Sequence, residues 1–115
     1  MRRGDVYLVS LDPTRGTEAN KTRPAVIVSN DAANRTAERL GRGVVTVVPL
    51  TSNAGKVFPF QVRVAEGEGG LANASKAQAE QIRSVDYRRL VQRLGAVGPD
   101  TLLRLDEAIR IHLDL

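Results

Sequence analysis

The apolar positions of this chain fall into short runs, and one of them organises the rest. After a polar segment the sequence turns at Arg23-Pro24 into Ala25-Val26-Ile27-Val28. Both alternating sets, Ala25 with Ile27 and Val26 with Val28, are apolar, which predicts a strand covered on both faces. Proline disfavours the helical region for the residue before it and is tolerated at the first position of a strand, so Arg23 is expected to be extended at the mouth of that strand. Upstream, Gly4 to Asp12 alternates Val6, Leu8 and Ser10 against Tyr7, Val9 and Leu11 and predicts a first strand. Val44-Val45-Thr46-Val47-Val48 is the most strand-like run, with Pro49 confining its end to an edge, a bulge or a terminus. Phe58 to Ala65 alternates Phe58, Phe60, Val62 and Val64 against polar positions and predicts a half-buried strand. Ser75 to Arg83 alternates less regularly and predicts a further strand. Ser84-Val85-Asp86 reads as the start of a tight helical turn, and Arg93 to Val97 as a short last strand.

Two helices complete the pattern. Asn30-Asp31 can cap a short one running to about Arg39, with Ala33, Ala37 and Leu40 as its apolar stripe, before Gly41-Arg42-Gly43 breaks the chain. Pro99 and Asp100 suit the start of a terminal helix. Its apolar face is Leu102, Leu105, Ile109 and Leu113, and Asp106 to Arg110 is spaced as an i,i+4 ion pair. The polar connection from Pro13 to Thr22 is long enough to be a functional or a mobile loop. Five or six short strands with a terminal helix make a small, mainly β, partly closed barrel with helices packed at its ends.

Composition narrows the chemistry. The 115 residues are enough for a single core and are read as one domain over 1–115, and a 42% apolar fraction excludes a disordered chain. There is no cysteine, which removes disulfides, thiolate metal sites and thiol nucleophiles together. The N-terminus lacks the continuous apolar region of a secretory signal, and no run approaches membrane-spanning length, so the expected compartment is the cytoplasm with no membrane partner. The net charge of +4 is uneven: residues 1–60 carry nine Lys/Arg against five Asp/Glu, whereas residues 61–115 carry eight of each. The basic excess therefore travels with Arg23, the sign expected of a polyanion-binding face. The terminal helix, net negative from Pro99 onward, is expected to lie away from such a face. Aromatic residues make up only 3%, which argues against extensive base stacking.

His112 is the only histidine, so two-histidine ribonuclease chemistry is impossible, and no spacing of metal-ligating residues appears. What remains is arginine, hydroxyl, amide and carboxylate. That set suits cleavage of RNA, whose 2′-hydroxyl supplies the nucleophile. The protein must then orient that group, stabilise charge on the phosphate oxygens and protonate the departing 5′-oxygen. An arginine fork matches phosphate geometry, and a threonine hydroxyl adds a donor.

These residues fall into a recognisable order. Arg3-Gly4-Asp5-Val6-Tyr7, Asp12-Pro13, Gly16-Thr17-Glu18, Lys21 through Asp31, Pro49-Leu50-Thr51-Ser52 and Glu80 through Asp86 together resemble the MazF/PemK toxins of bacterial toxin-antitoxin systems, from end to end. The resemblance implies an SH3-like barrel of the CcdB/MazF type and a homodimer. It also implies a metal-independent, cofactor-free endoribonuclease that cuts single-stranded RNA at short sequences to leave 2′,3′-cyclic phosphate and 5′-hydroxyl ends. It implies, too, a cognate antitoxin with an acidic, flexible tail. By the same resemblance Arg23 and Thr51 are catalytic. The family's arginine is given an acid/base role, but a guanidinium stays protonated far above neutral pH, so a base role is costly; Arg23 is read instead as electrostatic stabiliser and proton donor, with Thr51 orienting the phosphate and Glu80 or Glu18 available for the 2′ proton. Glu18, Lys21, Ser52, Asn53, Lys56, Glu80, Gln81 and Ser84 are the candidate RNA contacts, with the cut sequence read by the loops after Asp12 and Pro49. The rival readings on the same fold are a gyrase poison of the CcdB type and a non-catalytic RNA-binding domain.

Overall fold

The computed structural model describes residues 1–11 and 22–115. Its strands are β1 (Asp5–Ser10), β2 (Thr22–Ile27), β3 (Val44–Thr51), β4 (Gln61–Val64), β5 (Ser75–Gln78), β6 (Arg83–Asp86) and β7 (Leu90–Ala96), with helices α1 (Asp31–Leu40) and α2 (Pro99–Leu113). The antiparallel sheet runs β4-β5-β3-β2-β1-β7, with β6 also beside β3. This is the mainly β, partly closed barrel with a C-terminal helix that the pattern predicts.

β3 explains the shape. Along one edge Val44 to Val47 pair with β6, and after two intervening residues Leu50 and Thr51 pair with β5. The strand changes neighbours at Val48-Pro49, where proline has no N–H to give to either ladder, and the sheet folds over at that point. Pro49 therefore lies within β3, at a change of partner. Pro24 is likewise the third residue of β2, between two neighbours, and not the first. The β3 ladder begins only at Ala25 opposite Pro49, so Pro24 owes no donor on that side.

The two apolar sets of β2 enter separate cores. Val26 and Val28 join Val48, Leu50, Val62 and Val64 beneath α2, whose Leu105 and Ala108 close that core. Ala25 and Ile27 join Val9, Val45, Val47 and Val85 on the other face, with Ala37 of α1. Both sets are buried, as a strand covered on two sides requires.

α1 is capped at both ends by the residues the sequence offers. Asn30 accepts a hydrogen bond from the Ala33 N–H at 2.8 Å, and Gly41 takes the left-handed conformation with φ 67°. Its stripe differs from the expected one. Leu40 is exposed, and the fully buried position is Asn34.

Other elements depart from expectation for local reasons. β4 starts only at Gln61, because Phe58, Pro59 and Phe60 make a turn in which the Gln61 N–H bonds the Phe58 carbonyl. A 3-10 turn over Ala79–Gln81 interrupts the strand expected from Ser75 to Arg83. Ser84-Val85-Asp86, expected to start a helical turn, is strand β6, and the 3-10 turn follows at Tyr87–Arg89. β7 begins at Leu90 and is longer than expected. Asp106 pairs with Arg3 at 2.6 Å and not with Arg110, which lies 3.7 Å from Glu107.

Candidate functional site

The end of the β2–β3 ladder builds a cleft. With Ala25 opposite Pro49, the same register continued by two residues sets Arg23 against Thr51. Prolines at 24 and 49 end the ladder there, leaving the two side chains at the open end of a rigid pair of strands. Arg23, Thr51, Ser52, Asn73 and Ser75 supply the polar lining of a cleft of about 320 Å³, floored by Pro24, Leu50 and Leu71. Among the described residues the lining holds one cation and no carboxylate, a field that favours an anion.

The Thr51 hydroxyl is oriented from within its own loop. Its Oγ1 accepts the Asn53 N–H at 3.2 Å, which occupies a lone pair and leaves the hydroxyl proton to be donated elsewhere. The guanidinium of Arg23 offers a fork of donors beside it. A phosphate held between them meets two kinds of donor at the end of a strand fixed by β2 on one side and β5 on the other.

Of the residues singled out in the sequence, Arg23, Thr51 and Ser52 come together in this cleft. Asn53 adjoins it through its backbone, and Lys56 stands nearby on the same loop, its Nζ 4.7 Å from the centroid of the Phe58 ring. Glu80 does not line the cleft; its Oε2 accepts from Gln61 Nε2 at 2.7 Å. Gln81, exposed on the same 3-10 turn, and Ser84, opposite Thr46 on β6, also lie outside the lining. Glu18 and Lys21, with the rest of the loop after Asp12, fall outside the described residues. Sequence reasoning missed Asn73 and Ser75. Ser75 is buried, and its hydroxyl donates to the Asn73 carbonyl at 2.9 Å, so the loop carrying Asn73 to the cleft is held from below. A lone asparagine between two alanines has no spacing that would have revealed it.

The most strongly shifted carboxyl belongs to structure. Asp86 is lowered to about 2 by hydrogen bonds from the Arg88 side chain and backbone N–H, and it caps the 3-10 turn after β6. α2 contributes no side chain to the cleft lining. Glu68, in a separate 3-10 turn over Glu68–Gly70 that packs at the N-terminus of α2, is pushed up by burial but pulled further down by hydrogen bonds from the Thr101 side chain and the Gly98 N–H.

The class these features define is a partly open antiparallel barrel whose central strands end in a cleft lined by a guanidinium and hydroxyls, a lining suited to an anion. The model of the PemK-like, MazF-like toxins of type II toxin-antitoxin systems matches residues 2–113. The chain is 59% identical, over all of its length and 98% of the relative, to endoribonuclease MazF9 of Mycobacterium tuberculosis. Among solved structures it is similar to a mycobacterial endoribonuclease in complex with its cognate antitoxin, with a TM-score of 0.78 and 28% identity, covering 100% of this chain and 96% of that one. It is equally similar to a MazE–MazF complex of Deinococcus radiodurans, with a TM-score of 0.80 and 25% identity over 100% and 96% of the two chains. The chain belongs to the PemK-like, MazF-like toxins of type II toxin-antitoxin systems.

Proposed function

We infer that this protein is an endoribonuclease toxin that cuts single-stranded RNA in the cleft between Arg23 and Thr51. The reading is supported by family membership and carried by one observation: Arg23 and Thr51 line one cleft, where the Thr51 oxygen accepts the Asn53 N–H and its hydroxyl is left to donate. The 2′-hydroxyl of the substrate gives its proton to water as its oxygen bonds to the adjacent phosphorus, the bond to the 5′-oxygen breaks, and that oxygen takes a proton from water, so that a 2′,3′-cyclic phosphate and a 5′-hydroxyl result. An arginine guanidinium keeps its charge throughout the physiological range. Arg23 therefore stabilises the charge growing on the non-bridging oxygens and is placed to donate toward the leaving oxygen. Thr51 fixes the phosphate through its hydroxyl. Of the two carboxylates considered for the 2′ proton, Glu80 is engaged by Gln61 outside the cleft. The same reading makes residues 1–115 a single catalytic domain that acts as a cytoplasmic homodimer and is silenced by a cognate antitoxin whose acidic tail covers the basic face. No helix of the described residues is long and apolar enough to cross a membrane.

The test is incubation of the purified protein with a long single-stranded RNA in EDTA, with chemical mapping of the cut ends. Discrete cuts bearing 2′,3′-cyclic phosphate are expected, with kcat lowered about 100-fold or more in Thr51→Ala and further in Arg23→Ala, the loss typical of a removed transition-state donor. Full activity in either variant would refute the assignment of that residue. No cutting by folded wild type would refute the ribonuclease reading itself.

A further inference from the structure

A basic row crosses the sheet from the cleft. Thr51 of β3 stands opposite Lys76 of β5, and Lys76 stands opposite Arg63 of β4. The adjacent row, Leu50, Ala77 and Val62, points into the core beneath α2. Successive residues of a strand alternate in direction, so Thr51, Lys76 and Arg63 share the outward face. Two cations directly opposite each other on neighbouring strands repel and weaken the pair. Among the described residues neither is ion-paired with a carboxylate: Lys76 Nζ donates to the Lys56 carbonyl at 2.6 Å, and Arg63 Nη2 to the Ala54 carbonyl at 3.2 Å. Both carbonyls belong to the loop that follows Thr51. Lys56 adds a third charge there, above Phe58, which is stacked on Phe60 at 5.4 Å.

We propose that Lys76, Arg63 and Lys56 form a second subsite, which binds the phosphate backbone of single-stranded RNA beside the scissile position. It rests on the ribonuclease reading above and extends it from one phosphate to a path. Neighbouring strands lie about 4.8 Å apart, so the row places two cations within about 10 Å of Thr51, along the way an extended strand takes out of the cleft. Grooves that track a single strand combine such cations with little base readout. The subsite therefore raises affinity for long RNA without choosing the cut sequence. Its retained charge repulsion is relieved when phosphates lie between the two strands' side chains.

The experiment compares wild type with Lys76→Gln/Arg63→Gln on two substrates: a long single-stranded RNA carrying a mapped cut site, and a minimal oligonucleotide of that site alone. For the long RNA, KM should rise in the double variant with kcat unchanged. The plot of log KM against log salt should become shallower by about 1.4, roughly 0.7 for each phosphate contact removed. The minimal oligonucleotide should be cut as by wild type, and the charge-keeping variant Lys76→Arg/Arg63→Lys should retain the wild-type salt slope. An unchanged slope and KM on long RNA would overturn the subsite while leaving the ribonuclease reading intact. Equal losses on both substrates would overturn it as well, by placing these residues in the cleft's own chemistry. If the variant binds poly-glutamate more weakly but RNA normally, the row is a protein-docking surface and the proposal fails. Wild type that cuts neither substrate would bring down the ribonuclease reading and the subsite together.

Discussion

Asn34 is the fully buried polar side chain of α1, and replacing it tests how that helix is fastened. Its Nδ2 donates to the Ser29 carbonyl at 2.8 Å, and its Oδ1 accepts from the Ser29 hydroxyl at 2.5 Å. That hydroxyl in turn accepts the Thr46 N–H at 3.0 Å, so a single amide ties α1 to the end of β2 and to β3. Asn34→Ala removes two hydrogen bonds worth about 1 kcal/mol each and leaves the Ser29 groups short of partners, which costs about 1 kcal/mol more. Alanine's better helix propensity returns about 0.5 kcal/mol. The expected net loss is about 2 to 3 kcal/mol. For a chain of 115 residues the unfolding entropy near the midpoint, about 2.1 cal/mol/K per residue, converts this to roughly 10 °C in Tm. Calorimetry or circular dichroism against temperature reads it directly. The cycle with Ser29→Ala should show coupling, the double variant losing about 1 kcal/mol less than the two single losses combined. Arg23 lies six residues before Ser29, about 20 Å along an extended chain, so RNA cleavage per folded molecule at 25 °C should be unchanged. A Tm loss under about 3 °C, or strict additivity in the cycle, would refute this account of how α1 is held.

Two further outcomes follow from the packing around α2 and β7. The helix starts at Gly98, which has no side chain to cap it, and Glu68 does so instead, its Oε2 accepting the Gly98 N–H at 3.0 Å. Glu68→Gln should cost about 1 kcal/mol at pH 7, within the range for a lost cap. Because the folded carboxyl is held below its ordinary value of 4.5, its contribution is present above that value and lost as pH falls through the lower, folded one. Urea melts at pH 7 and pH 3 should show the variant's deficit shrinking in acid, and a constant deficit would contradict the capping role. Gly70, at φ +75°, packs so closely on β7 that a Cβ there would run into the Leu94 carbonyl. Gly70→Ala should cost about 3 to 5 kcal/mol from left-handed strain and overpacking combined, and a chemical melt within 1 kcal/mol of wild type would show that the turn yields.

Much of this architecture was legible because its signals are local. The two apolar sets of β2, the cap and glycine stop of α1 and the Leu102, Leu105 and Ile109 part of the α2 face each depend on residues within one or two turns of one another; the last expected member of that face, Leu113, is exposed past the end of the core, and Ala108 is buried instead. Thr51 and Arg23 are singled out by motif order, and the register brings the two to one cleft. What stayed hidden depends on pairing across the chain. β6 is four residues long with only Val85 buried, so it has no alternation to read, and its identity as a strand comes from β3. Asp106 had a suitable Arg110 one turn away, yet the better partner is Arg3, 103 residues distant. The basic row was hidden by the charge count itself: Lys76 and Arg63 belong to the half of the chain that is neutral overall, and only strand pairing brings them beside Lys56.

One strand accounts for the division of labour among these residues. β3 is clamped near its start by β6 and α1, through the network around Thr46 and Asn34, and it is free to change partners at Pro49. The mouth at Thr51 lies on the β2 edge, where the ladder stops at Ala25 opposite Pro49 and leaves Thr51 facing Arg23. On the other edge β3 leaves β6 and takes up β5 at its last two residues. The same exchange aligns Thr51 with the outward cations of β5 and β4. On the proposed reading, stability rests on the start of β3 and its tie to α1, chemistry on Thr51 at its end, and substrate affinity on the β5 and β4 residues in line with Thr51. Changes at Asn34 should move Tm alone, changes at Thr51 should move kcat, and changes at Lys76 and Arg63 should move KM and its salt dependence. A single substitution at Thr46 or Thr51 that shifted all three readouts together would show that β3 bends as one piece, and that the change of partner at Pro49 does not separate its two ends.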